Sequence, residues 1–403
     1  MPTTILLIGT FDTKGAEFAY VRNLIVARGH EVMTIDVGVL GEPSLLPDIS
    51  ATTVAEAGGR SLTELRLGSD RAAALDVMIK GAIKVVLQLH GEGRCGGMLG
   101  LGGSGGTAAA TAVMRALPIG LPKIMVSTLA SGDTRPYVGV SDITLMYSVV
   151  DVAGLNRLSR QILTNAAGAV CGMVEQPLPV AEDKPLLAAT MFGVTTPCVT
   201  RMREQLEQAG YEVLVFHATG SGGQALESLI AASFVAGVAD VTTTEWGDEL
   251  VGGVLSAGPH RLEAAGRQGL PQVVSVGALD MVNFWAFETV PEKFVQAGRR
   301  FHRHNENVTL MRTTPEECAV LGRIVAEKLN VAKGPVTVFI PLRGVSALDR
   351  EGQAFHWPEA DTALFDSVRQ NLKPPVQLVE LDLHINDPAF AKAMADKLLE
   401  MLN

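Results

Sequence analysis

The chain has 403 residues, a net charge of −10, 47% apolar residues and 19% charged residues. That length calls for two domains with sizeable cores. The acidic balance, with no Lys/Arg-rich run, argues against nucleic acid as a partner. No apolar stretch reaches the roughly 18 residues needed to span a bilayer. The four cysteines (Cys95, Cys171, Cys198, Cys318) lie far apart with no C-x-x-C, which reads as reduced thiols of a cytoplasmic protein.

The chain opens on a strand-like run, Thr3 to Ile8, with no charged segment ahead of it; a signal peptide is not expected. The spacing predicts a helix over 15–28 closed by Gly29, then a strand over 31–36. A long helix from Asp70 to about His90 stops at Gly91 and Gly93. A short strand, Met98 to Leu101, leads into Gly100-Leu101-Gly102-Gly103-Ser104-Gly105-Gly106-Thr107, and an alanine-rich helix follows. Strands at 123–127 and 143–146 and a helix from Ala153 to about Cys171 complete the first half. The segment from Leu178 to Pro185 breaks the alternation, placing the domain limits at 1–180 and 181–403.

The pattern then restarts with a strand at 186–189, a helix at 197–208 and a strand at 212–216. Aligned without gaps, Phe11, Arg22, Gly29, Glu31 and Val32 fall on Phe192, Arg203, Gly210, Glu212 and Val213. Further strands are predicted at 237–241, 272–276, 308–311, 336–340 and 376–381. Thr314-Pro315-Glu316-Glu317 reads as a capped helix start, and Asp387-Pro388 as another. The expected fold is α/β: two doubly wound, Rossmann-like parallel-sheet domains in tandem with a cleft between them.

The glycine run carries the strongest chemical signal. A strand turning through glycines into a helix start lets backbone N–H groups approach an anion, and the helix end adds about half a positive charge. Gly102, Gly103, Ser104, Gly105, Gly106 and Thr107 are therefore candidate phosphate ligands; the other reading is a tight turn with close helix–strand packing. At the end of the first strand, Gly9-Thr10-Phe11-Asp12-Thr13-Lys14-Gly15 offers hydroxyls, a cation and, in Asp12, a carboxylate able to hold Mg²⁺ through water. Asp36 ends the second strand where a ribose-binding acid would sit. Ser131, Gly132, Asp133 and Thr134, with Arg135, gather hydroxyl, carboxylate and guanidinium in one loop. A G-x-G-x-x-G spacing at Gly100, Gly102 and Gly105 follows the third strand rather than the first, and no acid ends a strand about 20 residues later. A Walker motif is absent.

In the second half, His217 to Gly223 and Thr242 to Glu249 also end strands. Glu245 is a candidate acid or base, as are His302 and His304 in His302-Arg303-His304-Asn305. On a strand that histidine pair would share a face, but without a clear third ligand no metal site is assigned. Cys198, at a helix start, is a candidate nucleophile weighed against a buried structural thiol.

With these motifs in place, the chain resembles the Tm-1-like ATP-binding family. The resemblance rests on Gly9 to Gly15, Gly100 to Thr107, Ser131 to Asp142, Asp240 to Pro259 and Asn305 to Glu317. It implies two Rossmann-like subdomains, a homodimer, and ATP bound in the N-terminal one through Asp12 to Lys14, Gly102 to Thr107 and Ser131 to Thr134. In the plant member this region binds a viral replicase, a role not expected of this chain. The plant member also carries a barrel resembling phosphoenolpyruvate hydrolases, an activity that here would need a separate partner. The favoured function is an ATP-dependent enzyme, with Mg²⁺, acting on a small carboxylated or phosphorylated metabolite in the interdomain cleft. The alternatives are a nucleotide-binding regulator without turnover, an NAD(P)-dependent oxidoreductase, and a metal- or Cys-dependent hydrolase.

Overall fold

The computed structural model describes residues 3–68, 70–178 and 183–403. The chain divides into two compact units, Met1–Val180 and Ala181–Asn403. Residues 179–182, within the expected join, lie outside the described residues.

The first unit runs β1 (Thr4–Gly9), α1 (Phe11–Ala27), β2 (Glu31–Asp36), α2 (Ala51–Ala57), α3 (Leu62–Leu67), α4 (Arg71–Gly91), β3 (Gly97–Gly102), α5 (Ser104–Ala116), β4 (Lys123–Ser127), α6 (Arg135–Val138), β5 (Thr144–Tyr147) and α7 (Arg157–Glu175). Its strands are all parallel, in the order β2-β1-β3-β4-β5. Both faces are covered. Ile5, Leu7, Leu99, Leu101 and Val126 pack with Phe18 and Val21 of α1 and Val170 of α7. The alternate residues Leu6, Ile8, Met98 and Met125 pack with α2, α4 and α5 on the other face. Side chains of a strand alternate between faces, so a sheet with two helical layers demands near-continuous apolar strands. That is why Ile5-Leu6-Leu7-Ile8 is apolar throughout.

Several boundaries differ from the sequence expectation, each for a local reason. Helix α1 begins at Phe11, not Gly15, because Asp36 Oδ1 accepts the Phe11 N–H at 3.0 Å from the neighbouring strand. The helix is kinked at Lys14, whose φ and ψ (−129°, 17°) are not helical. Helix α7 starts four residues late because Asn156 caps it, accepting from Leu158 and Ser159 N–H groups at 2.9 Å. The short helices α2 and α3, capped by Ser50 and Ser61, were not expected.

The second unit runs β6 (Leu186–Met191), α8 (Thr196–Gln208), β7 (Glu212–His217), α9 (Ser221–Ala231), β8 (Gly237–Thr242), α10 (Glu245–Val251), α11 (Ala264–Gln268), β9 (Gln272–Gly277), β10 (Met281–Phe284), α12 (Glu292–Gln296), β11 (Phe301–Asn305), β12 (Val308–Arg312), α13 (Pro315–Leu329), β13 (Val336–Pro341), α14 (Pro358–Asn371), β14 (Gln377–Leu381) and α15 (Pro388–Leu402). Its main sheet is parallel, in the order β14-β13-β9-β8-β6-β7. Read from the far edge, β7-β6-β8-β9-β13 repeats the topology of the first unit, and β14 extends it. The internal repeat is thus structural. Gly29 and Gly210 both follow a helix end with φ of +95° and +96°, the left-handed conformation that favours glycine. A second sheet, β10-β12-β11, is antiparallel and was not expected. Thr314 and Glu317 form the anticipated capping box on α13. Asp387 precedes α15 as expected, but its carboxylate accepts from His384 N–H instead of capping the helix.

Candidate functional site

The strand order of the first unit reverses direction between β1 and β3. Ligands of open α/β sheets bind at such a switch point, beyond the carboxyl ends of the strands. There the structure has a crevice of about 280 Å³, lined by Thr10, Asp12 and Thr13 from the β1–α1 turn and Gly105 and Gly106 from the start of α5. Two of the sequence motifs, some ninety residues apart, therefore meet on one side of it. Val37, Val39, Leu75 and Met78 supply an apolar wall, and Arg71 supplies a cation. Arg71 is exposed and, among the described residues, makes no ion pair.

The glycines of the run divide by task. At Gly100 a Cβ would lie 2.7 Å from Ala110 Cβ, so this residue lets strand and helix pack closely. Gly102 has φ +159°, and its Cβ would come within 3.2 Å of Gly106 Cα. These two bear out the packing reading. Gly105 is different: it is exposed, and a Cβ there would meet nothing within 4 Å. Packing gives no reason for a glycine at that position. Helix α5 also has no side-chain cap at Gly103, so its first N–H groups are left for another acceptor. Ser104 is exposed beside them. The Thr107 hydroxyl is instead buried and joined to Ser127 Oγ at 2.7 Å, tying α5 to β4.

Asp12 shapes the crevice from the other side. Its Oδ2 accepts the N–H groups of Leu40 and Gly41 at 2.8 and 3.1 Å, pinning the loop after β2. Its Oδ1 is buried with no hydrogen-bond partner. Gly38 is required for this approach, since a Cβ there would lie 2.7 Å from that same oxygen. Asp36 is buried, and its Oδ1 is taken by Phe11 and Gly38 N–H groups. Burial, the larger influence, raises its pKa against the lowering effect of those donors.

Not every expected ligand reaches the crevice. Lys14 sits at the kink of α1 and is not among the lining residues. Ser131, Gly132, Asp133 and Thr134 follow β4, one strand further along the sheet from the switch point. Asp133 is exposed and bound to Arg135 at 2.9 and 2.8 Å, which lowers its pKa to about 2. Conversely, Arg71 and the apolar wall escaped the sequence reading. The available signal was Asp70, whose carboxylate caps α4 through Ala72 and Ala73 N–H groups and so aims the helix start at the crevice.

In the second unit the corresponding loops are closed by the protein itself. Glu245 Oε1 accepts the Gly220 and Gly223 N–H groups at 2.7 and 3.0 Å, at the start of α9. Its Oε2 accepts from Arg261 Nε at 2.7 Å. Arg261, 1% exposed, also grips Asp240 through both terminal nitrogens at 2.5 and 2.6 Å. Glu245, read from sequence as an acid or base, is thus an internal anion filling the place an external one would take. His302 and His304 do lie on a strand, β11, at the edge of the antiparallel sheet. His302 packs edge-on to Phe355 at 6.2 Å. Among the described residues no three His, Cys, Asp or Glu side chains gather to hold a metal ion. Cys198 is fully buried, and desolvation pushes its thiol up to about 12, the reverse of an activated nucleophile. No described helix is long and apolar enough to cross a membrane.

Over its full length the chain is 54% identical to a UPF0261 protein of Clostridium tetani, covering 100% of both chains. It is 44% identical over 339 residues to the ToMV resistance protein Tm-1(GCR237) of Solanum lycopersicum, covering 82% of this chain and 45% of that protein. Among solved structures, Acinetobacter baumannii MurG aligns over 99% of this chain and 100% of its own, at 9% identity and a TM-score of 0.24, too low to bear on function. Residues 3–179 and 184–402 match the N-terminal and C-terminal domains of the uncharacterised protein family UPF0261, and the chain belongs to that Tm-1-like family.

Proposed function

We propose that the first unit binds ATP with Mg²⁺ in the crevice at its switch point. One observation carries this reading: an uncapped helix start with an open glycine, Gly105, faces a carboxylate, Asp12, whose Oδ1 is buried and unpartnered. The chemistry of this donor set fits a nucleotide–metal pair. The N–H groups at the start of α5 and the Arg71 guanidinium suit phosphate oxygens. Asp12 suits a Mg²⁺-bound water, Thr10 and Thr13 suit phosphate or ribose oxygens, and the Val37–Met78 wall suits an adenine ring. When bound, ATP would supply a transferable phosphoryl group; this chain's residues hold it and neutralise its charge.

We read the whole protein as a homodimeric, cytoplasmic, ATP-dependent enzyme acting on a small carboxylated or phosphorylated metabolite. The test is a thermal shift of the full chain with ATP, ADP, NAD⁺ and NADPH, each with and without Mg²⁺. A shift with ATP that is reduced in Arg71→Ala supports the crevice; no shift with any nucleotide overturns it. Phosphate release in the presence of candidate metabolites then separates an enzyme from a regulator, and size-exclusion chromatography tests the dimer.

A further inference from the structure

A cavity of about 640 Å³ lies in the second unit beyond the carboxyl ends of β13 and β14. Its walls include Arg343, Arg350, Arg369 and His356, and its floor includes Asp361 and Thr362 in the first turns of α14. Helix α14 has no side-chain cap at Trp357, so its positive end also faces this space.

Behind the floor lies an unusual charge balance. Arg312, at the end of β12, is fully buried among Asp280, Asp349 and Asp361. Its Nη2 lies 2.5 Å from Asp361 Oδ1 and 3.6 Å from Asp349 Oδ1. The charge of Asp280 also acts on Arg312, and the Ser346 hydroxyl donates to Asp280 Oδ2 at 2.7 Å. The Oδ1 atoms of Asp280 and Asp349 have no hydrogen-bond partner. Three ionised carboxylates around one guanidinium would leave two uncompensated negative charges out of water, so the cluster retains a proton. Burial, then the charge of Asp349, pushes Asp361 up to about 8 and Asp280 up to about 7. Asp361 alone of the three carboxyls lines the cavity.

The remaining charged groups around the cavity are mostly committed. Arg343 is paired with Asp382, and Arg369 with Glu380 and Asp366. Both ring nitrogens of His384 are engaged: Nδ1 accepts Asn386 N–H at 3.1 Å, and Nε2 donates to the Ser346 carbonyl at 2.9 Å. Asp387 accepts from His384 N–H at 2.8 Å. Among the described residues, Arg350, Glu351 and the His356 ring have no side-chain partner. The loop geometry is itself demanding: Gly344 has φ +123°, and a Cβ there would lie 1.7 Å from the Asp349 carbonyl oxygen. Ala278, two residues before Asp280, has φ +56°, a strained conformation for a residue with a side chain.

We infer that this cavity is a proton-gated binding site for the carboxylate or phosphate group of a small molecule, held by Arg350 and by a hydrogen bond donated from protonated Asp361. With its proton, Asp361 is a hydrogen-bond donor on the floor of a pocket whose unpaired cation is Arg350. Without it, Asp361 presents a second negative charge to the ligand. The inference deepens the metabolite half of the reading above and is independent of the nucleotide half.

The experiment is isothermal titration of the full chain, without nucleotide, using malonate as the carboxylate probe and sulfate as the phosphoryl probe. Both keep a nearly constant charge from pH 7 to 9. Binding that weakens about tenfold per pH unit above roughly pH 8 is expected, as one linked proton requires. The tighter probe names the ligand class. Asp361→Asn keeps a donor without the titration, so its affinity should stay flat across that range. Arg350→Ala, at an exposed position, should weaken binding about tenfold or more without altering Tm. Absence of binding by either probe at pH 7, a flat wild-type profile, or full affinity in Arg350→Ala would each overturn the proposal. Loss of ATP binding would leave it standing.

Discussion

Replacing Gly105 with alanine should make the protein more stable and a poorer ligand for ATP. A Cβ at this position meets nothing within 4 Å, so the methyl group costs no packing. It lies in the first turn of α5, where Gly→Ala removes unfolded-state freedom and gains about 0.4–1 kcal/mol. For a unit of this size that raises Tm by about 1–4 °C. The same methyl sits where a phosphate must approach the helix start, so it removes about one charge-assisted hydrogen bond, about 1.5–3 kcal/mol. That is about a 10- to 100-fold loss of affinity. At ATP equal to 100 times the wild-type Kd, ligand stabilisation is about 2.7 kcal/mol. In the variant at the same concentration it falls to about 0.4–1.4 kcal/mol. Differential scanning fluorimetry with and without ATP·Mg²⁺ reads both effects in one run. A variant with raised apo Tm and an undiminished ATP shift would refute the cradle, because packing and binding would then have been separated with the wrong sign.

Three further outcomes follow from buried side chains. Arg261→Met should destabilise it by about 3–5 kcal/mol, since Asp240 and Glu245 would be left buried without their counter-charge; a urea midpoint near wild type would contradict that account. Asp248 is buried beneath Asn283, and desolvation pushes it up to about 7. A carboxyl with a raised native pKa contributes stability below its unfolded pKa and loses it as pH rises to the native value. Stability relative to Asp248→Asn should therefore fall between about pH 4 and 7, by at most about 1.4 kcal/mol per pH unit; a flat or rising difference in chemical denaturation would oppose it. All four cysteines are buried, and Cys95, Cys198 and Cys318 are pushed up to about 11, 12 and 11. An aromatic disulfide reagent should label none at pH 7.5 in the native protein and all four in denaturant; rapid native labelling would restore a reactive thiol.

Local chemistry made much of the fold legible in the sequence. Continuous apolar runs such as Ile5 to Ile8 announced doubly covered strands, Gly29 and Gly210 announced helix ends, and Thr314 to Glu317 announced a cap. The glycine run was readable as a strand-to-helix turn for the same reason, and the spacing of five residues exposed the repeat of the two units. Tertiary structure decided what those motifs do. Only the strand order β2-β1-β3-β4-β5 places Asp12 and Gly105 in one crevice while leaving Ser131 to Thr134 outside it. Whether a carboxylate is a ligand or a strut depends on what surrounds it. Asp36 reaches back 25 residues to Phe11, and Glu245 is taken by Gly220, Gly223 and Arg261. Asp280, Asp349 and Asp361 converge on Arg312 from three separate segments, a grouping that no spacing in the sequence announces. Propensity and capping act over a few residues and are written in the chain; burial and Coulomb interactions act across space, and only the folded chain sets them.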